Sequence, residues 1–402
     1  MEIAGIVGKP NVGKSTLFSA LSMVNVDIAN YPFTTKKTNV GVTYVRVECV
    51  CKKLGVRDNP RNSVCIDGVR LVPIQIIDCP GIIREAHKGK GLGLKFLDEI
   101  RQASLLIIVA DASGATLGDG TPTEPFTHDP VEDVEMVLDE FDAWLAEIVS
   151  RDWPRISRAA EAKQVSLTLE LTRKLSGLGV DENMVSDAID AAGLDRSKPV
   201  SWRDEELLRL ATMIRRRSKP FIVAANKADV KGSEKNVEKL VQRGYDVVPI
   251  SAEAERTLRL AASKGLVKYV PGDSGFEVVD ESKLSPQQKK ALEYIRENVF
   301  EKWGGTGVQK LVNMAYLEKL GYIPVYPVEN PHTLTDHEGR ILPDVYLMPR
   351  NSTPRQLAYK IHTELGESYL YAVDARTGLR LADDHLLKPS EVISIVSAKK
   401  RG

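Results

Sequence analysis

The sequence predicts an α/β fold with a doubly wound, mostly parallel sheet, a helical, coiled-coil-like insertion, and a small β-grasp domain at the C-terminal end. Three patterns carry that prediction. Short apolar runs at Ile3–Val7, in "PIQIIDCPG", in "FIVAANKAD" and in "VVPISAE" each end in small or polar residues, as buried parallel strands do. Between Asp111 and Phe221 the period changes to three and four. From about Ile323 the order becomes strand, strand, helix, strand, strand. A chain of 402 residues has room for several cores. The expected division is 1–129 and 218–322 for the sheet domain, 130–217 for the insertion and 323–402 for the last domain.

Composition narrows the function classes. Lys plus Arg and Asp plus Glu balance at 55 each, so no global field draws the chain to nucleic acid or to a membrane. No apolar run approaches membrane-spanning length, and "MEIAGIVGKP" reads as a first strand rather than a leader. Cytoplasmic residence without membrane contact is therefore expected. Four cysteines, Cys49, Cys51, Cys65 and Cys79, are too few for a disulfide scaffold. The first three could hold zinc, but no fourth ligand has convincing spacing, so the sequence argues against a metal there. Cys79 is expected to be a buried small side chain.

The first strand runs into Gly8-Lys9-Pro10-Asn11-Val12-Gly13-Lys14-Ser15-Thr16 and then a helical pattern. This is a phosphate loop in its strand-to-helix setting. Gly8 and Gly13 let backbone N–H groups wrap the phosphates, Lys14 reaches the β- and γ-phosphates, and Ser15 ligates Mg²⁺. Asp78 closes the second run and can reach Mg²⁺ through water; the Gly81 amide can bond the γ-phosphate. The third run ends in Asn226-Lys227-Ala228-Asp229, whose aspartate can accept from guanine N1–H and the 2-amino group. Adenine would leave that carboxylate desolvated and unpaired. Ser251-Ala252-Glu253 follows the fourth run, where backbone can meet guanine O6. Four motifs in order at strand C-terminal ends define a GTP/GDP-binding domain.

"GKPNVGKS", "NYPFTTKKTNVG", "DCPG" and "HKGKGLGLKFLDEIRQA" together resemble the Obg-related GTPases, closest to the YchF-like branch and its archaeal and fungal members. The resemblance covers nearly the whole chain and implies a Mg²⁺-dependent GTPase switch linked to ribosomes or translation; a monomer is expected, although the sequence does not say whether the chain dimerises. By it, Thr35 is the switch threonine on Mg²⁺, with Thr34 as the competing choice. Many YchF members end the base motif in glutamate and prefer ATP; Asp229 places this chain on the guanine side. An ATPase, or a nucleotide-gated scaffold with negligible hydrolysis, stays open. Glu85 stands where the family often has glycine, which predicts a stiffer second switch. Ile82 follows the DxxG glycine and cannot orient water, which predicts slow unaided turnover. Its substitute is either His87 or a K⁺ ion held partly by Asn11, as in related potassium-activated GTPases.

In the insertion, Val134, Leu138, Phe141, Leu145 and Ile148 form one stripe and Ile156, Ala160, Leu167, Leu171 and Leu175 another. Two antiparallel helices follow, with shorter ones near 182–192 and 203–217 capped by Asp181 and Ser201. Such an arm either packs on its host or binds a partner. "SPQQKKALEYIREN" starts a further helix at Ser285-Pro286, in a segment expected to return to the sheet. "GGTG" at 304–307 reads as a loop before a helix. "STPRQLAYKIHTEL" and the strand order around it resemble the TGS domain of threonyl-tRNA synthetase, GTPases and SpoT, implying contact with the ribosome or structured RNA. Charge does not demand this: from Ile323 onward there are ten basic and ten acidic residues. The basic end, Lys399-Lys400-Arg401, is explained equally by a solubilising tail.

Overall fold

The structure is a computed structural model that describes residues 3–23, 39–86 and 100–398. In chain order the elements begin with β1 (Ile3–Val7), α1 (Lys14–Ser22), β2 (Val40–Glu48), α2 (Val50–Leu54), β3 (Val64–Ile66), β4 (Val69–Asp78) and β5 (Leu105–Asp111). The insertion holds α3 (Pro130–Ser150), α4 (Trp153–Glu161), α5 (Leu167–Leu175), α6 (Glu182–Ala191) and α7 (Asp204–Ser218). Then come β6 (Phe221–Asn226), α8 (Glu234–Gln242), β7 (Val247–Pro249), α9 (Ala252–Ser263), the pair β8 (Val267–Lys268) and β9 (Glu277–Val278), α10 (Pro286–Ile295) and α11 (Val308–Asn313). The last stretch contains β10 (Tyr322–Val328), β11 (Tyr346–Pro349), α12 (Pro354–Ile361), α13 (Thr363–Glu367), β12 (Tyr369–Asp374) and β13 (Glu391–Ser397).

Among the described residues, one compact unit comprises 3–23, 39–41, 75–86 and 100–311. Its sheet runs β4-β1-β5-β6-β7, every neighbouring pair parallel, with registers such as Ile6↔Asp78, Val7↔Ile108 and Asp111↔Asn226. All seven residues of β5 are buried, as a central parallel strand covered on both faces requires. The five strands therefore end side by side, where α/β sheets bind ligands.

α3 is capped by Asp129, whose side chain accepts from Val131 N–H, with Pro130 at its first position. Its first half, through Val134, Val137 and Phe141, packs in the sheet core; its second half, from Leu145, packs with the rest of the insertion. The second stripe is two helices rather than one, α4 and α5. They are separated at residues 162–166, where Lys163 has φ +57° and Ser166 caps α5 by accepting from Leu169 N–H. Asp181 caps α6 as expected, accepting from Met184 N–H. Ser201 caps nothing: Pro199–Ser201 is a 3-10 turn, and α7 begins after Arg203, whose N–H donates to Glu206. Ser285 and Gln288 form a reciprocal capping box on α10. That segment does not rejoin the sheet, because Leu284, Leu292 and Ile295 pack on Leu258 of α9 and leave α10 beside it.

The second unit comprises 42–74 and 312–398. Its four-stranded sheet runs β11-β10-β13-β12, with β10 and β13 parallel at the centre and antiparallel partners outside, and Leu357 and Ala358 of α12 in the core beneath it. This is the expected β-grasp. Its other core joins Tyr326, Leu342 and Val392 to Cys49, Val50, Cys51 and Val72. The expectation that no fourth ligand group accompanies the cysteines is corrected there. Asp58 lies with Cys49, Cys51 and Cys65, the ligand atoms all within 4.8 Å of one another. The spacing hides it because Gly55, at φ +64°, ends α2 and turns the chain back.

Candidate nucleotide-binding site

The phosphate loop has a conformation that its glycines permit. A Cβ on Gly13 (φ +96°) would sit 2.2 Å from Asn226 Nδ2, and one on Gly8 (φ +148°) would sit 2.5 Å from the Val109 carbonyl. Asn226 Nδ2 donates to the Val12 carbonyl at 2.8 Å, and Asn226 Oδ1 accepts from Ala252 N–H at 3.1 Å. One side chain thus ties the phosphate loop to the start of α9. Thr16 follows Ser15 in the first turn of α1, and Val12 is fully buried.

Lys14 is buried, and its ammonium donates to the Lys9 carbonyl at 2.7 Å. Burial pushes it down to about 8, opposed by Asp78. Ser15 Oγ donates to Asp78 Oδ2 at 3.3 Å, while Asp78 Oδ1 is buried without a partner. Burial also lifts the Asp78 carboxyl above its usual range, opposed by Ser15 and Lys14. A hydroxyl and an orphaned carboxylate oxygen are hard oxygen donors, so these residues fit Mg²⁺. A Cβ on Gly81 would lie 3.1 Å from Pro10 Cγ, so Gly81 keeps this turn close to the phosphate loop. Ile82 faces away: it is 1% exposed in the sheet core, and its N–H donates to the Gly8 carbonyl. Glu85 has φ +65°, a backbone that favours glycine, and its N–H donates to Glu140 of α3. Thr34, Thr35 and His87 lie outside the described residues, as do Lys399, Lys400 and Arg401.

Sequence reasoning missed how the loop after β5 frames the phosphate loop. Lys9 is fully buried; its ammonium meets Asp133 at 2.8 Å and the Thr116 carbonyl at 2.6 Å, so its charge is committed to the protein's own acceptors. His128 Nε2 reaches the same Asp133 oxygen at 2.7 Å. Asn11 Nδ2 donates to the Gly120 carbonyl at 2.9 Å, and a Cβ on Gly120 would lie 2.7 Å from Pro10. The turn residues of "TLGDGTPTEPFTHDP" were the available signal, but no spacing rule joins them to residues more than a hundred positions earlier.

At the base end, Lys227 (φ +61°) pairs with Asp111 at 2.7 Å, and Asp111 also accepts from Ser113 and Thr116. Ser251 caps α9 through Ala254 N–H, and its own N–H donates to the Thr306 carbonyl of the "GGTG" loop. Asp229 accepts from the Tyr294 hydroxyl at 3.3 Å. A cavity of about 430 Å³ opens beside it, lined by Asp229, Ser251, Glu253, Thr257, Lys290 and Tyr294 among others. Tyr294 sits 65 positions from Asp229, and only the packing of α10 on α9 brings it there.

A phosphate loop, a metal-ligating pair and an Asn-Lys-x-Asp base motif on adjacent parallel strands define a P-loop guanine-nucleotide-binding protein. Comparison with known proteins agrees. Residues 3–147 match the 50S ribosome-binding GTPase family, 224–330 the Obg-like GTPase YGR210-like, G4 motif-containing domain, and 337–397 the TGS domain. A GTP-binding protein of Methanocaldococcus jannaschii is 47% identical over all of both chains, and one of Schizosaccharomyces pombe is 32% identical over 89% of this chain and 90% of its own. The Bacillus subtilis ribosome-binding ATPase YchF is 32% identical over 63% of this chain and 66% of its own. The crystal structure of a GTP-binding protein from Pyrococcus horikoshii superposes with TM-score 0.76 at 39% identity, covering 99% of this chain and 100% of that one. The chain belongs to the Obg-like, YchF-type GTPases of the YGR210-like branch, with a C-terminal TGS domain. The fold of that family generally carries Mg²⁺ with its nucleotide. Among the described residues, no helix is long and apolar enough to cross a membrane.

Proposed function

We propose that this chain is a cytoplasmic, monomeric GTP hydrolase with slow intrinsic turnover, whose GTP state engages the ribosome. In this reading 1–129 and 218–322 form the GTPase domain, 130–217 the helical insertion and 323–402 the TGS domain. The observation that carries it is the base end. Asp229 offers a carboxylate beside a cavity, while Asn226 ties that strand to the phosphate loop at Val12 and to Ala252. Lys14 would hold the β- and γ-phosphate oxygens, Ser15 and Asp78 would hold Mg²⁺ with Thr35, and the Gly81 amide would read the γ-phosphate. When bound, Mg²⁺ neutralises charge between the β- and γ-phosphates.

Slow turnover follows from Ile82, which is buried in the core and presents no polar group to water. Two replacements are proposed, His87 and a K⁺ ion. For the ion, Asn11 Nδ2 is committed to Gly120, which leaves Oδ1 as the acceptor able to meet a cation. The ribosome link is supported by the name of the B. subtilis relative and by the TGS match.

Displacement of a fluorescent GDP tests the reading. GTP and GDP should bind at least ~10³-fold tighter than ATP and ADP, because adenine leaves Asp229 unpaired. Equal affinities would place the chain with the ATPases. The same preparation, assayed for GTP turnover with and without ribosomes in KCl, NaCl and choline chloride at matched ionic strength, should be faster with ribosomes and with K⁺. Equal rates in all three salts, with a large loss in His87→Ala, would assign the water to His87.

A further inference from the structure

The second unit contains a polar cluster that the nucleotide chemistry does not use. Cys49 caps α2 and Cys51 lies in its first turn. The chain then reverses at Gly55, with Val56 N–H donating to the Cys51 carbonyl, and brings Asp58 back over the helix. Cys65 arrives on β3, directly opposite Arg70 on β4 across a hairpin whose turn, Asp67-Gly68, has φ +48° and +78°. The framework is fixed independently: Asn59 N–H donates to the Ile341 carbonyl at 2.8 Å and Arg61 N–H to the Pro343 carbonyl at 2.7 Å.

We propose that Cys49, Cys51, Asp58 and Cys65 form a closed structural site for a single tetrahedral divalent ion of the zinc class. A Zn–S bond of about 2.3 Å at tetrahedral angles separates two thiolate sulfurs by about 3.8 Å. Cys51 and Cys65 Sγ are 3.9 Å apart, Cys49 Sγ and Asp58 Oδ2 are 3.2 Å apart, and all four ligand atoms fall within 4.8 Å. Those separations suit one ion; a multinuclear iron–sulfur cluster would hold its thiolates farther apart. Three sulfurs and one carboxylate select zinc over Mg²⁺ or Ca²⁺.

Two neighbours complete the site. Three thiolates, a carboxylate and a divalent ion sum to a charge of −2. Fully buried Arg70 offsets part of this, donating to Asp58 Oδ2 at 2.6 Å and lying 4.0 Å from Cys49 Sγ. Arg70 is held in turn by Ser63 Oγ and the Leu342 carbonyl, so the carboxylate is oriented by a side chain that cannot move freely. The Tyr326 hydroxyl is buried with no partner at hydrogen-bond geometry and lies in the same core as Cys49. A metal-bound thiolate is a better acceptor for it than a thiol. Binding releases the three thiol protons and joins α2 and the β3–β4 hairpin at one point.

Full-length protein, purified under reducing conditions without chelator, should contain about one zinc per chain by elemental mass spectrometry. Replacing zinc with Co²⁺ should give the d–d absorption of a tetrahedral thiolate site. Cys65→Ser and Asp58→Asn should each lower metal occupancy or weaken retention against a chelator by at least ~10-fold. Should those variants fold poorly, the wild-type stoichiometry and the Co²⁺ spectrum decide. GTP binding by chelator-treated wild type checks that loss of metal is not loss of the whole fold. Less than a tenth of an equivalent of zinc together with no Co²⁺ uptake would overturn the site.

Discussion

The phosphate loop and the cysteine cluster both close a small volume around an ion or its ligand, but they recruit residues differently. The phosphate loop uses the backbone of one short run, Gly8 to Ser15, in which every residue but Pro10 has an N–H to offer, so its glycine spacing is a local rule that a sequence displays. The cluster uses four side chains spread from Cys49 to Cys65, on a helix turn, a returning loop and a hairpin. Its geometry is tertiary. A site built from backbone announces itself; a site built from side chains needs the fold.

The largest expected effect tests how rigid the backbone rule is. Gly13→Ala places a methyl 2.2 Å from Asn226 Nδ2 in a left-handed backbone, so the loop must distort. GTP and GDP affinity should both fall by at least ~10³-fold in equilibrium titration, with zinc content unchanged. A mild loss would mean that the loop rearranges freely, and the contrast with the cluster would weaken.

Next is the frame around the loop. Lys9→Ala leaves the buried Asp133 carboxylate without its ammonium and should cost about 3–5 kcal/mol in denaturant unfolding, as broken buried pairs do. Lys9→Met combined with Asp133→Leu should recover most of it. If Lys9→Ala is neutral, the phosphate loop does not depend on the loop after β5.

The smallest effect is read through protons. Burial holds the Lys14 ammonium of the nucleotide-free protein down to about 8 against its ordinary 10.5, so between those values the unfolded chain binds the extra proton and the folded protein gains stability as pH rises. Triphosphate restores the charge, so at pH 9 GTP binding should take up most of one proton and weaken as pH rises further. Calorimetry in buffers of different ionisation enthalpy measures this uptake. No uptake would mean that the ammonium is already charged in the free site.

Legibility followed the same division. The strands, their order of motifs, the caps at Asp181 and Ser285 and the β-grasp order were readable, because period and capping chemistry are local. The break at residues 162–166 was not, since the apolar stripe continues in phase across it. Nor were Asp133, Gly120 and Tyr294, each brought to the site from a distant element by packing. Nor was Asp58, which the turn at Gly55 brings back to the cysteines. The boundary near Ile323 also concealed a shared core: Tyr326, Leu342 and Val392 pack with Cys49, Cys51 and Val72. Deleting the chain from Ile323 onward would strip that core, so ribosome binding is better tested on the whole protein.

One helix carries a consequence beyond its own packing. α3 grips Lys9 through Asp133, meets the Glu85 backbone through Glu140 and anchors α7 through the ion pair of Asp142 with Arg215, before ending among the apolar residues of the insertion. Twenty-one residues make a rod about 30 Å long. A load applied to its far end would be felt where the triphosphate lies, and exchange of GTP for GDP would be felt at the far end. The two couplings must be equal in free energy, so any molecule that grips the insertion more tightly in one nucleotide state shifts the relative affinities for GTP and GDP by the same factor.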